Sequence, residues 1–417
     1  MTTVALVGTL DTKEQEFRWL REQLAAAGCD VLVVDVGTFS DGAGLADVDS
    51  AAVATAGGTD RDELRRTRDR GAAMSAMATG AAEVVRQLFA AGRIDGLLAV
   101  GGSSGSSVAA GALQALPVGV PKLLVSTMAA GDVGPYVGAV DVTLMYSVVD
   151  IAGINSISRR ILGNAVAAIA GMAQHYRADR DAHQGDQAND ERPLIGMTMF
   201  GVTTPAADEA RARLTELGYE VLVFHATGAG GRAMEALAAG GFLAGVLDLT
   251  TTELADELVG GVLTAGPDRL EAVGRAGLPQ VVSLGALDMV NFGPRETVPE
   301  RFADRNLLVH NPTVTLMRTT SGEMATLGGI IADKLRAAQG PTRVLIPLGG
   351  VSAVDVPGAP FRDADADRAC FAALTTGLAG SAVAVDEIDA AINDPGFGTS
   401  AADALHALIT ARSEEEN

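Results

Sequence analysis

The sequence predicts an α/β protein of two Rossmann-like lobes, each a mostly parallel sheet flanked by helices, with a ligand cleft between them. Three observations predict it. Short aliphatic runs alternate with helical stretches along the chain. The alternation stops in a charged, amide-rich segment and then begins again. The 417 residues exceed one ordinary core but suit two of about 200 residues each.

Taken in order, strands are expected at Val4–Val7, Val31–Val36, Leu97–Val100 and Leu123–Ser126, separated by helices such as Lys13–Ala27 and Ala72–Ala91. Asn155–Arg160 opens a further long helix, on which Arg159 and Arg160 read as a solvated face or as phosphate ligands. The stretch RADRDAHQGDQANDERP at 177–193 breaks the apolar periodicity. It sets the first lobe at 1–180, a linker at 181–193 and the second lobe at 194–417. The pattern then restarts with Leu194–Met199, a helix over Ala206–Leu217, and Val221–His225, followed by Val246–Leu249, Val281–Leu284 and Val344–Pro347. The openings of the two lobes overlay with Gly28 facing Gly218, as a duplicated β-α-β unit would.

Composition narrows the function classes. Hydrophobic residues make up 48% and aromatic residues only 4%, with 50 glycines, so the core is expected to use small and branched side chains with close backbone approaches. The net charge of −21 argues against nucleic acid or an anionic membrane as partner. Cys29 and Cys370 read as buried thiols of a reducing compartment. The start MTTVALVGTL lacks a basic region before its apolar run and no segment has a membrane-spanning length, so a cytoplasmic location is expected.

In open parallel sheets ligands bind beyond the carboxyl ends of the strands, so the loops there carry the functional reading. The first is Gly8-Thr9-Leu10-Asp11-Thr12-Lys13-Glu14. Asp11 with Glu14, or Thr12 with Gln15, fits a helix capping box. The same residues fit an anion site, with Thr9, Thr12 and Lys13 toward phosphate and Asp11 toward a metal or a ribose. After the third strand, Gly101, Gly102, Ser103, Ser104, Gly105, Ser106 and Ser107 precede a small-residue helix. Bare backbone N–H groups and hydroxyls at a positive helix end suit phosphate. The loop ends in no Gly-Lys-Ser/Thr and lacks the dinucleotide spacing. The fourth strand leads into Ser126, Thr127, Met128, Ala129, Ala130, Gly131 and Asp132, where Asp132 is a Mg²⁺ ligand or a helix cap.

In the second lobe, His225 stands at a strand end before Thr227, Gly228, Gly230 and Gly231, a position for a general acid or base or for a histidine bonded in the wall. Glu253, Asp288 and Asn291 fall at later strand ends, and His310, Arg318 and Glu323 complete a second polar cluster.

These loops together resemble a known family. The segments GTLDTK at 8–13, VGGSSGSS at 100–107, VSTMAAGDVGPYVG at 125–138, DVTLMYSVVDIAGIN at 141–155, HATGAGGRAME at 225–235, GALDMVNFG at 285–293, HNPTVTLMRTT at 310–320, IPLGGVSAVD at 346–355 and INDPGFG at 392–398 carry the likeness. They resemble the bacterial and plant proteins similar to the ATP-binding amino-terminal region of the tomato mosaic virus resistance protein. The resemblance implies a two-part α/β fold that binds ATP, with Mg²⁺, and forms a homo-oligomer. It implies nucleotide contacts at Thr9, Asp11, Thr12, Lys13 and the 101–107 and 126–132 loops. The expected activity is phosphoryl or adenylyl transfer to a small molecule, with Lys13 and Arg318 neutralising phosphate and His225 or His310 as base. The alternative is a nucleotide-responsive binding protein whose oligomer or protein partner surface ATP stabilises.

Overall fold

A computed structural model describes residues 1–39, 44–183 and 192–415. The chain divides into two compact units, Met1–Asn189 and Asp190–Asn417.

The first unit runs β1 (Thr3–Gly8), α1 (Leu10–Ala26), β2 (Asp30–Asp35), α2 (Ser50–Ala56), α3 (Arg61–Thr67), α4 (Arg70–Ala90), β3 (Gly96–Gly101), α5 (Ser103–Gln114), β4 (Lys122–Ser126), α6 (Gly134–Val137), β5 (Thr143–Tyr146) and α7 (Ser156–His183). Its five strands are all parallel in the order β2-β1-β3-β4-β5. The two-residue period of the strands divides the core. Val4 and Leu6 face Phe17, Leu20 and Leu24 of α1 and Leu162, Val166 and Ile169 of α7. Ala5 and Val7 face α2, α4 and α5 through Val53, Met77, Val85 and Val108. Each large side chain so buried contributes about 1.5–3 kcal/mol.

Small residues set the spacing of that second layer. A Cβ on Gly80 would lie 1.9 Å from the Val53 carbonyl oxygen, so α4 rests directly on the backbone of α2. Strand β5 was not among the expected strands, because VTLMYSVV alternates weakly and its residues are only partly buried. Helix α7 continues through His183 into the expected linker, and residues 184–191 of that stretch lie outside the described residues.

The second unit runs β6 (Leu194–Met199), α8 (Thr204–Glu216), β7 (Glu220–His225), α9 (Ala229–Ala239), β8 (Gly245–Thr250), α10 (Thr252–Val259), α11 (Ala272–Arg275), β9 (Gln280–Gly285), β10 (Met289–Phe292), β11 (Leu307–Asn311), β12 (Val314–Arg318), α12 (Ser321–Arg336), β13 (Thr342–Pro347), α13 (Ala364–Leu378), β14 (Ala384–Ile388) and α14 (Phe397–Glu415). Its parallel sheet has the order β14-β13-β9-β8-β6-β7, with α8 and α14 on one face and α12 and α13 on the other. A separate antiparallel sheet, β10-β12-β11, departs from the purely parallel pattern. It places His310 and Arg318 of the expected polar cluster on the two strands of a hairpin.

Cys29 and Cys370 are both buried free thiols, and burial pushes Cys370 up to about 12. Among the described residues no helix is long and apolar enough to cross a membrane.

Candidate functional site

The chain leaves β1 toward β2 on one side while β3 pairs with β1 on the other, so the loops after β1 and β3 part at a topological switch point. A pocket of about 630 Å³ opens there. Thr9, Thr12 and Lys13 line it from α1, and Gly102, Ser103, Ser104 and Gly105 from the start of α5. Val36, Leu64, Ala73, Met74 and Val108 form its apolar wall, and Arg68 and Arg70 add positive charge.

The first turn of α1 is shaped from outside the helix. Its N-cap is Thr9, which makes no side-chain capping bond, so neither expected capping box forms. Leu10 N and Gly37 N instead donate to the buried Asp35 Oδ1 at 3.1 and 2.9 Å. Phe39 N donates to Asp11 Oδ2 at 3.2 Å, which commits part of that carboxylate to the loop after β2. Lys13 breaks the helical dihedrals, with φ −138° and ψ 29°. Its ammonium donates to the Ile151 carbonyl, and one turn later Glu16 Oε1 accepts from Gly153 N at 2.5 Å. The hydroxyls of Thr9 and Thr12 lie 3.0 Å apart.

The serine loop divides between two roles. Ser103 and Ser104 face the pocket, and Arg70 Nη2 donates to Ser104 Oγ at 2.6 Å. Ser106 is buried and bonds Ser126 Oγ at 2.7 Å, and Ser107 donates back to the Ser103 carbonyl at 3.0 Å. Gly101 ends β3, one residue before the pocket-lining Gly102. Thr127 borders a second depression, while Gly131 N closes a turn on the Met128 carbonyl at 3.1 Å, with Ala129 inside it. Asp132 Oδ1 accepts from Gly134 N at 3.0 Å in the turn that leads into α6, whose N-cap is Val133. Arg159 and Arg160 lie exposed on α7.

In the second unit the residues expected to line a pocket are engaged with one another. Gly228 N and Gly231 N both donate to Glu253 Oε1, at 2.6 and 3.1 Å, so a protein carboxylate occupies the glycine-rich turn before α9. Gly230 packs on the backbone of His225, and Thr227 Oγ1 donates to the His225 carbonyl at 3.3 Å. Arg269 binds Glu253 and takes Asp248 bidentately at 2.5 and 2.8 Å. Burial works against that guanidinium, yet Asp248, Glu253 and Glu235 overcome it and hold its pKa well above the ordinary value. Burial pushes Glu235 up to about 7 despite Arg269.

Arg318 is likewise committed. It donates to the Phe361 carbonyl at 2.6 Å, to Thr319 Oγ1 at 2.9 Å and to Asp367 Oδ1 at 2.8 Å, which spends it on bonds within the core. Burial, and then neighbouring Asp355, push Asp367 up to about 7. Asp288 Oδ2 accepts from Ser352 at 2.8 Å, and burial raises this carboxyl to about 6. Asn291 Nδ2 donates to Asp256 Oδ2 at 2.7 Å, and Glu323 closes a capping box with Thr320 while pairing with Arg305. His310 lies exposed near the hairpin tip, and His225 lies exposed at the end of edge strand β7 with its ring edge-on to Phe200. Of the four residues read as catalytic, Arg318 is buried in the second unit, His225 and His310 are exposed there, and Lys13 belongs to the first unit.

Comparison with known proteins is consistent with this two-part architecture. Residues 2–178 match the N-terminal domain model, and residues 192–409 the C-terminal domain model, of the Uncharacterised protein family (UPF0261). The chain belongs to the UPF0261 family. It is 48% identical over 402 residues to a UPF0261 protein of Clostridium tetani, a match covering 96% of this chain and 98% of that one. A UPF0261 protein of Rhizobium meliloti is 46% identical over the same shares. The ToMV resistance protein Tm-1(GCR237) of Solanum lycopersicum is 41% identical over 378 residues, 87% of this chain and 50% of the tomato protein.

In this UPF0261 chain, sequence reasoning missed Val36, Thr38, Phe39, Leu64, Arg68, Asp69, Arg70, Ala73 and Met74, all of which line the pocket. The segment RTRDRG at 66–71 was the available signal, a basic run ahead of a helix in an acidic chain. Among the described residues no group of three or more His, Cys, Asp or Glu side chains is arranged to hold a metal ion. The carboxylates in the UPF0261 pocket are Asp11 and Asp69, and Asp69 also caps α4 through Ala72 N at 3.0 Å.

Proposed function

We propose that the N-terminal unit binds ATP at the β1–β3 switch point. The phosphates lie at the starts of α1 and α5, and the base lies against Val36, Leu64, Ala73 and Met74. The observation that carries this reading is the division of one pocket into a polar end and an apolar wall. The polar end offers hydroxyls, bare N–H groups, Lys13, Arg68 and Arg70, a set that suits a chain of phosphates. A volume of about 630 Å³ falls in the ordinary range for small-molecule sites. Mg²⁺ bound mainly through phosphate oxygens and water needs one or two protein carboxylates, which Asp11 and Asp69 offer.

Two uses of the nucleotide follow, and the interior of the second unit favours one. Glu253, Asp288, Asn291 and Arg318 are spent on internal bonds, which supports a nucleotide-responsive protein, with ATP stabilising a homo-oligomer or a partner surface. Phosphoryl or adenylyl transfer remains the rival use, resting on Lys13, His225 and His310.

Calorimetric titration with Mg-ATP, followed in the same sample by assay for ADP, AMP, phosphate and pyrophosphate, tests both. Binding without product supports the responsive protein, and a released product assigns the transfer. No binding at millimolar Mg-ATP rejects the reading.

A further inference from the structure

We propose that the depression at the carboxyl ends of β4 and β5 is a second ligand site, which takes a small organic ammonium ion. The cavity has a volume of about 350 Å³ and is lined by Thr127, Tyr146, Ser147, Val148, Val149 and Asp150. It lies on the edge of the parallel sheet where ligands bind in open α/β folds.

The lining chemistry selects the ligand. It presents one carboxylate, one phenol ring, two hydroxyls of Ser and Thr, two valines and no basic side chain. Asp150 Oδ1 accepts from Ile151 N at 2.8 Å, and its Oδ2 has no partner among the described residues. Tyr146 is 46% exposed. A carboxylate and a phenol ring lining one cavity both attract an ammonium group, the carboxylate repels an anion, and the valines suit the carbon skeleton of an amine.

Backbone strain is the second observation. Val148 has φ +62°, in the left-handed region that β-branched residues almost never enter, and its side chain is 61% exposed. The turn is pinned on both sides of it. Val149 N donates to the Ser147 carbonyl at 2.6 Å, and Ser147 Oγ donates to the Val149 carbonyl at 2.8 Å. Strain held in place at a cavity rim on the ligand edge points to binding rather than to packing, because an exposed valine gains little burial from it.

The site adjoins the larger pocket. Thr127 Oγ1 lies 3.8 Å from where a Cβ on Gly102 would stand, and Lys13 reaches from that pocket to the Ile151 carbonyl, one residue beyond Asp150. That a nucleotide is the neighbour rests on the ATP reading; the ammonium site itself does not.

Saturation-transfer NMR on the full chain without nucleotide, using choline, ethanolamine and putrescine as probes and glycerol and acetate as controls, tests the assignment. We expect saturable binding of at least one amine, no binding of acetate or glycerol, and at least a tenfold loss of affinity in Asp150→Asn. Tyr146→Leu should lose several-fold, with the thermal unfolding of both variants unchanged. No amine binding to the wild-type chain, equal binding by Asp150→Asn, or equal binding of acetate would overturn it. A parallel Mg-ATP titration keeps the two readings apart, since Asp150→Asn is expected to retain full ATP affinity.

Discussion

Arg269 Nε donates to Glu253 Oε2 at 2.6 Å, and both side chains are completely buried. The other oxygen of Glu253 takes the N–H groups of Gly228 and Gly231, so one carboxylate joins the start of α9 to the core of the second unit. A Cβ on Gly231 would lie 2.1 Å from Glu253 Oε2, which is why a side chain is absent there. The turn resembles an anion cradle in its sequence because it is one, and its anion belongs to the protein.

Removing that anion leaves Arg269 short of one partner and two buried N–H groups unsatisfied. Glu253→Ala is expected to cost about 3–5 kcal/mol, as broken buried ion pairs do. Equilibrium denaturation of the second unit measures it, and a loss below about 1 kcal/mol would contradict the role.

Arg70 tests the nucleotide pocket from the side that is distant in sequence. Its guanidinium already reaches Ser104, so Arg70→Ala should weaken Mg-ATP by roughly tenfold, the worth of about 1.4 kcal/mol. Calorimetry reads the change, and unchanged affinity would remove Arg70 from the phosphate end.

Asp288 predicts a pH dependence. Its folded pKa of about 6 stands above the unfolded value of about 3.9, so the folded state binds the extra proton. Its contribution to stability is therefore full below pH 4 and lost as pH rises through 6. Asp288→Asn keeps an acceptor for Ser352 and abolishes the titration. The variant should match the wild type near pH 4 and exceed it at pH 8 by on the order of 3 kcal/mol. Thermal melts at both pH values decide it, and a variant less stable at pH 8 than at pH 4 relative to wild type would reverse the sign.

Gly80→Ala tests the spacing of α2 and α4. The added methyl group would meet the Val53 carbonyl at 1.9 Å, so the helices must separate. A loss of about 1–3 kcal/mol is expected from overpacking. Gly163→Ala, which meets nothing within 4 Å on α7, is the matched control and should be neutral or slightly stabilising.

The amino-acid sequence by itself determined the two α/β units and the position of the loops after β1 and β3. Both are local properties: aliphatic runs of strand length, helical periodicity, and glycine and serine placed directly before a helix. The weakly alternating β5 and β11 escaped because their residues are too exposed to show a pattern, whereas the buried β12 was hidden by being read as part of a polar cluster.

Only the tertiary structure decided which side chains share a space. Arg70 reaches Ser104 from a helix junction more than thirty residues earlier in the chain, with Arg68 lining the same pocket, and no local spacing encodes that meeting. Glu253 and Arg318 look like free polar residues at strand ends until packing supplies their partners. A buried charge must be matched inside the protein before it can serve a ligand, and the match is made by whichever element folds against it.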